Sequence, residues 1–140
     1  MNFTQAVASG FRRYVDFNGR STRSEFWWWM LFFYAVYTAW FLLLVIMSAL
    51  GAGALYGVIL AVGMLGWFGL FLPSLAVAIR RLHDTNRSGL LYLLVLTGIG
   101  GIVLLIWASE PGTVGENQYG PDSAAALGAP VASAQSTWAN

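Results

Sequence analysis

The side chains able to do chemistry fall into two short polar stretches. One holds Arg20, Arg23 and Glu25; the other holds Arg80, Arg81, His83, Asp84 and Arg87. A guanidinium forks bidentately onto carboxylate or phosphate and is desolvated more easily than an ammonium. Two readings follow. In the first, Glu25 and Asp84 pair with two or three of the Arg and tie helix ends together. In the second, five Arg against two carboxylates leave charge over for a phosphate, on a lipid headgroup or a soluble anion. Each Arg beside anionic headgroups is favourable by about 1 kcal/mol. The readings are compatible with one another.

Catalysis has little to draw on. His83 and Asp84 are adjacent, but neighbours in sequence rarely orient one another as a dyad does, and no Ser or Cys nucleophile is marked. The chain has no cysteine and a single His, so no metal site and no cofactor is expected. No glycine pattern makes a phosphate loop. The expectation is a protein that is not an enzyme, with an interfacial enzyme using His83 and Asp84 on lipid headgroups as the weakest alternative.

The segments that position these residues are apolar. Of 140 residues, 58% are hydrophobic and 9% charged, against about a quarter charged in soluble domains. Residues 26–50 and 54–79 carry no charge. Each is long enough as a helix to cross a ~30 Å hydrocarbon core. Residues 90–108 form a third apolar run, just long enough to cross. The expected fold class is therefore all-α, a polytopic membrane protein with about three transmembrane helices in one domain, 1–122. Thr22 and Glu25 fit a capping box at the first span. Trp27, Trp28 and Trp29 stand where an aromatic belt would sit. Gly51 to Gly53 should make a tight hairpin, and Asn18-Gly19 a turn.

Small residues let helices approach closely. Gly57, Gly63, Gly66, Gly69, Gly98 and Gly101 are the candidate packing positions, and Pro73 should kink the second span near Gly69. Three glycines within Gly98–Gly101 favour a kink or a break in the third span. Ahead of the spans, Phe3, Val7, Phe11, Tyr14 and Phe17 share one helical face over 3–17. That pattern suits an amphipathic helix lying in the headgroup plane, or one packed on the rest of the domain. Residues 123–140 are rich in Ala, Ser and Gly and read as a disordered tail.

All seven basic residues are Arg. With three spans they fall on one side. The positive-inside rule then puts the N-terminus in the cytoplasm and the C-terminus in the periplasm or outside. The spans hold no Asp, Glu, His, Lys or Arg, which argues against a proton relay or charge sensor.

Three blocks carry a resemblance to a known family: Phe17 to Trp27, Pro73 to Gly89, and Asn117 to Asp122. In order and spacing the chain resembles the YhaH/YhaI-type family of small bacterial inner-membrane proteins, a domain of unknown function. There are departures. Leu90 and Leu91 stand where the family often has a Trp pair, and Gln118 where it usually has a basic residue. The resemblance implies an inner-membrane location and a helical fold, and no established activity. It points to the same eight polar residues.

The expected role is non-enzymatic, through helix–helix contacts and a cytoplasmic Arg-rich face. The expected partners are the bilayer, anionic phospholipid, and a membrane-protein partner or second copy, with no nucleic acid. The main alternative is a component of a pore or transport assembly.

Overall fold

The structure is a computed structural model that describes residues 1–128. It is all-helical, with no strand among the described residues. Helix α1 covers Phe3–Arg12, α2 Arg23–Ala49 and α3 Gly53–Asp84; a 3₁₀ helix follows at Gly89–Thr97, then α4 at Gly100–Ser109. The disordered tail expected over 123–140 lies outside the described residues from 129 onward; before that, Ala125–Leu127 form a short 3₁₀ turn.

Helices α2 and α3 are long and apolar enough to cross a membrane. Gly51, at φ 64°, turns the chain between them, as the glycines there led one to expect. Most large apolar side chains along both helices are exposed, Leu65, Phe68 and Val62 among them. A soluble monomer rarely presents so continuous an apolar surface.

The two helices approach most closely at Gly63. A Cβ there would lie 1.9 Å from the Trp40 ring, and the Trp40 indole N–H donates to the Ile59 carbonyl at 2.9 Å. Gly57, Gly66 and Gly69 have open space beside them, so of the glycines expected to pack on α3, only Gly63 packs within the chain. Pro73 sits inside α3, which continues through it to Asp84. Proline has no N–H for the carbonyl four residues back, Gly69. The Tyr14 hydroxyl donates to that carbonyl instead.

Helix α1 is shorter than the aromatic spacing predicts. It ends at Arg12, and Arg13 adopts a non-helical cap conformation. The Asp16 carboxylate then accepts from the Asn18 N–H at 3.1 Å, a local turn that competes with helix. The aromatic face of α1 packs against α2: Phe3 meets Trp28 edge-on at 5.9 Å, and Phe11 meets Trp29 at 5.4 Å. Gly10 permits this, since a Cβ there would lie 2.2 Å from the Trp29 ring. Trp29 is therefore core, not belt. It is fully buried and its N–H donates to the Ser74 hydroxyl at 3.0 Å. Trp27 and Trp28 face outward.

The largest departure from expectation is the third apolar run. It does not continue as one helix to the far end. A nine-residue 3₁₀ helix, unusually long for that form, stops at Gly98, whose φ is 76°. The chain then reverses. A Cβ at Gly100 would lie 1.7 Å from the Leu94 carbonyl oxygen. The end of α4 comes back to where the 3₁₀ helix began: Arg87 donates to the Glu110 carboxylate at 2.7 Å and its guanidinium lies 4.8 Å over the Trp107 ring. Arg81, near the end of α3, donates to the Ala108 carbonyl at 3.0 Å. Residues 89–109 are thus a hairpin with both ends at one end of α3. Thr97 closes the tip: its hydroxyl donates to Leu94 O and accepts from Gly100 N–H.

Candidate functional site: a buried arginine–carboxylate clasp

The two polar stretches meet. The N-cap of α2 is Thr22, whose hydroxyl accepts from the Glu25 N–H at 3.2 Å, as a capping box requires. The reciprocal half is missing, because the Glu25 carboxylate is used elsewhere. It accepts from the Ser9 hydroxyl at 2.8 Å and from Arg80 at 3.3 Å. Ser9 lies on α1 and Arg80 on α3, so Glu25 ties three helices together.

Asp84 is the second centre. One oxygen accepts from Arg20 Nε at 2.9 Å and from the Ser123 hydroxyl at 2.6 Å. The other accepts from Arg81. Gly112 permits the approach, since a Cβ there would lie 2.1 Å from Asp84 Oδ2. The Asp84 carbonyl also accepts from the Thr113 N–H at 2.8 Å.

Arg20, Arg80 and Arg81 are almost wholly removed from solvent, Arg80 at 0% and Arg81 at 1% exposure. Most of their remaining N–H groups go to main-chain carbonyls; Arg80 Nε is buried without a partner among the described residues. Arg20 reaches Thr113, Gly115 and Gly120. Arg80 reaches Arg13 and Asp16. Arg81 reaches Ser21, Ala108 and Glu110. A helix leaves its last carbonyls without partners, and cations there complement its dipole. Arg81 fills that role for α4, joined by Arg23, which donates to the Ser109 carbonyl at 3.3 Å. Burial opposes the charge on both Arg80 and Arg81, and the neighbouring carboxylates favour it. An Arg keeps its proton under such conditions, so the cluster holds fixed charge.

His83 and Asp84 do not form a dyad. Asp84 is occupied as described. His83 points its Nδ1 at the Gly19 carbonyl, 3.2 Å away, and its ring stacks on Tyr119 at 3.9 Å between centroids. An N–H at Nδ1 is the tautomer that contact needs. Asn117 donates to the His83 carbonyl at 2.9 Å, so the 113–123 segment is strapped across the Arg cluster. Arg87 pairs with Glu110 at the rim.

All eight polar residues singled out in the sequence lie at this end of the molecule, Arg23 and Arg87 at its edge. The sequence reading missed Ser9, Gly10, Tyr14, Ser74, Gly112 and Ser123. Ser9 and Gly10 on α1 offered a small-residue signal that the aromatic stripe obscured. The carbonyl acceptors have no side-chain signature at all.

Between α2, α3 and the hairpin lies a cavity of about 410 Å³. Phe26, Met30, Tyr92, Ile102 and Leu104 supply apolar wall; Ser74 and Arg81 supply polar groups.

The family described as "Protein of unknown function (DUF805)" matches residues 14–121. The chain is 43% identical over 119 residues to the inner membrane protein YhaI of Escherichia coli (strain K12), covering 84% of this chain and 94% of that protein. It is 38% identical over 121 residues to the inner membrane protein YhaH of the same strain, covering 79% and 89% respectively. No solved structure matches.

Proposed function

The chain belongs to the DUF805 family, with inner-membrane relatives, and from that premise we propose a non-enzymatic membrane protein that binds its partner within the plane of the bilayer. Helices α2 and α3 cross the membrane. The hairpin 89–109 enters from the Arg-rich side and leaves by the same side. The 3₁₀ arm of nine residues rises about 18 Å and the α4 arm of ten residues about 15 Å. Either is about half of a ~30 Å core. Irregular backbone at that depth is tolerated where protein covers it, and Thr97 serves the tip.

The observation that carries this reading is Arg81. One buried guanidinium reaches carbonyls on both sides of the chain's polar end: Ser21 before α2, and Ala108 and Glu110 at the end of α4. The positive-inside rule puts this end in the cytoplasm. The N-terminus, the α3–hairpin loop and the segment after Glu110 then share that side, with α1 at headgroup depth. The clasp is structural in this reading: it fixes both ends of the hairpin beside α3, and the cavity between the hairpin, α2 and α3 takes a lipid chain or a partner helix. Occupied His83 and Asp84 side chains support a role without catalysis.

Because the chain has no cysteine, single cysteines can report sidedness. Glu116→Cys and Ser48→Cys are both at exposed positions. An impermeant maleimide should label Glu116→Cys only in inside-out vesicles and Ser48→Cys only in right-side-out ones. Labelling of both from the same side would overturn the topology. Native mass spectrometry of the protein in nanodiscs excised with surrounding lipid then tests the function: a retained lipid or second polypeptide supports it, and a bare chain does not.

A second reading has one observation in its favour. Discontinuous helices that end near the midplane occur at carrier substrate sites, and Gly98 makes such an end. Solute flux in liposomes containing the purified protein separates this transport role from binding.

A further inference from the structure

Helix α4 does not lie flush on α2. Between them runs a groove of about 490 Å³, lined by Trp27, Trp28, Met30, Leu31 and Tyr34 of α2 and by Leu105 of α4. It shares Met30, Tyr34 and Leu105 with the cavity between α2, α3 and the hairpin, so the two adjoin. Of these, Trp27, Leu31 and Tyr34 lie along one face of α2 that starts one turn earlier at Arg23, with Trp28 and Met30 beside it. Arg23 is exposed. No carboxylate among the described residues pairs with it; its acceptor is the Ser109 carbonyl at 3.3 Å, one turn above Leu105 on α4.

The geometry points to a seat for one glycerophospholipid, with an acyl chain along the α2–α4 groove and its phosphate on Arg23. This deepens the proposed in-membrane binding and rests on it. Three features fix the occupant. The groove is apolar along its length. From Arg23, one turn outside the groove, to Tyr34 at its inner end is eleven residues, about 16 Å, which is one leaflet of a ~30 Å core. A partner helix crossing the bilayer would need a full-length face, and the hairpin ends at Gly98, so the groove ends there too. At the outer end stands the exposed cation, and a phosphodiester complements it. The buried Arg20, Arg80 and Arg81 are ion-paired with carboxylates, whereas Arg23 at the groove has no carboxylate partner among the described residues.

The test uses the full chain, delipidated in detergent and offered dimyristoyl phosphatidylglycerol or dimyristoylglycerol, which share acyl chains and differ by the phosphate headgroup. Native mass spectrometry should show one phosphatidylglycerol retained per chain, in preference to diacylglycerol. Arg23→Gln should reduce that retention about fivefold, the loss expected for one surface cation near headgroups. Leu105→Trp, which fills the groove, should reduce retention of both lipids. Equal retention of the two lipids, or wild-type retention by Arg23→Gln or by Leu105→Trp, would overturn the seat. Far-UV circular dichroism matching the wild type shows that each variant is folded. The Glu116→Cys labelling keeps the two proposals apart: wrong sidedness removes the topology and the seat with it, whereas correct sidedness with unchanged lipid retention removes the seat alone.

Discussion

The two ends of the α2–α3 pair are held by different physics. At the clasp end, three buried Arg and two carboxylates join α1, α2, α3, α4 and the 113–123 segment through directed, charge-assisted bonds. At the turn end, α2 and α3 are held by shape. Gly63 lies under Trp40, and one indole bond reaches Ile59. Lipid is as apolar as the helix surfaces, so packing alone gives weak registration between spans. Buried ion pairs add little net stability, yet breaking one leaves a stranded charge. The clasp therefore sets which elements meet, and the turn end sets how closely two of them pack.

The largest effect should follow from breaking the clasp at its most connected residue. Arg81→Gln leaves Asp84 beside one Arg fewer and strips the end of α4 of its donor. A loss of about 3–5 kcal/mol is expected, read as a lower thermal midpoint in mild detergent. Limited proteolysis within 110–123 should rise with it. Asp84→Asn in the same chain should deepen the loss, because it takes the carboxylate from buried Arg20 as well. At the other end, Gly63→Ala should cost about 2 kcal/mol by overpacking against Trp40. Gly57→Ala and Gly66→Ala, with open space beside them, should stay within about 0.5 kcal/mol of wild type. Equal effects at all three glycines would mean that shape does not govern that end.

A third effect lies between the ends, where Tyr14 serves the carbonyl that Pro73 leaves free. Tyr14→Phe should cost about 1 kcal/mol, the net value of one such bond. Pro73→Ala restores the N–H that Gly69 lacks, so Tyr14→Phe in that background should cost little. A double-mutant cycle with no coupling would show that the hydroxyl is not what compensates for the proline.

Much of this was legible in the sequence. The uncharged runs marked α2 and α3, Thr22 marked the start of α2, Gly51 marked the turn, and the Arg bias marked one polar end with its eight residues. The hairpin was not legible. In a run with no charged residue, periodicity is nearly silent, and residues 90–108 fit a crossing and a hairpin equally well by length. Gly98 and Glu110 were the available signals: a glycine able to take positive φ, and a carboxylate able to return to Arg87. Counting Arg against carboxylates did not show where surplus donors go: Arg20, Arg80 and Arg81 spend most of theirs on main-chain carbonyls. Backbone acceptors are present at every residue, so composition cannot show which ones an Arg will find.

The smallest expected effect tests how far the clasp extends beyond its buried core. Asp16 is partly exposed and pairs with Arg13 at 2.8 Å. Its main-chain carbonyl accepts from Arg80, so the turn it shapes supports the clasp. The Arg13 hydrogen bond holds the Asp16 carboxyl below the usual carboxylate range, aided by the Asn18 N–H and opposed by burial. A carboxyl lowered in the folded state contributes stability that is present above its unfolded pKa and lost as pH falls through the folded value. Solvent and salt screen an exposed pair, so Asp16→Asn should cost less than about 1 kcal/mol at neutral pH. The gap between wild type and variant should close as pH is lowered below 4 and narrow with added salt. Asn keeps an oxygen for the Asn18 N–H and loses the charge and the acceptor for Arg13. A cost approaching that of Arg81→Gln would therefore mean that Arg80 depends on the 13–18 turn being held by charge, and the clasp would then begin at α1, with Glu25 as its middle instead of its edge.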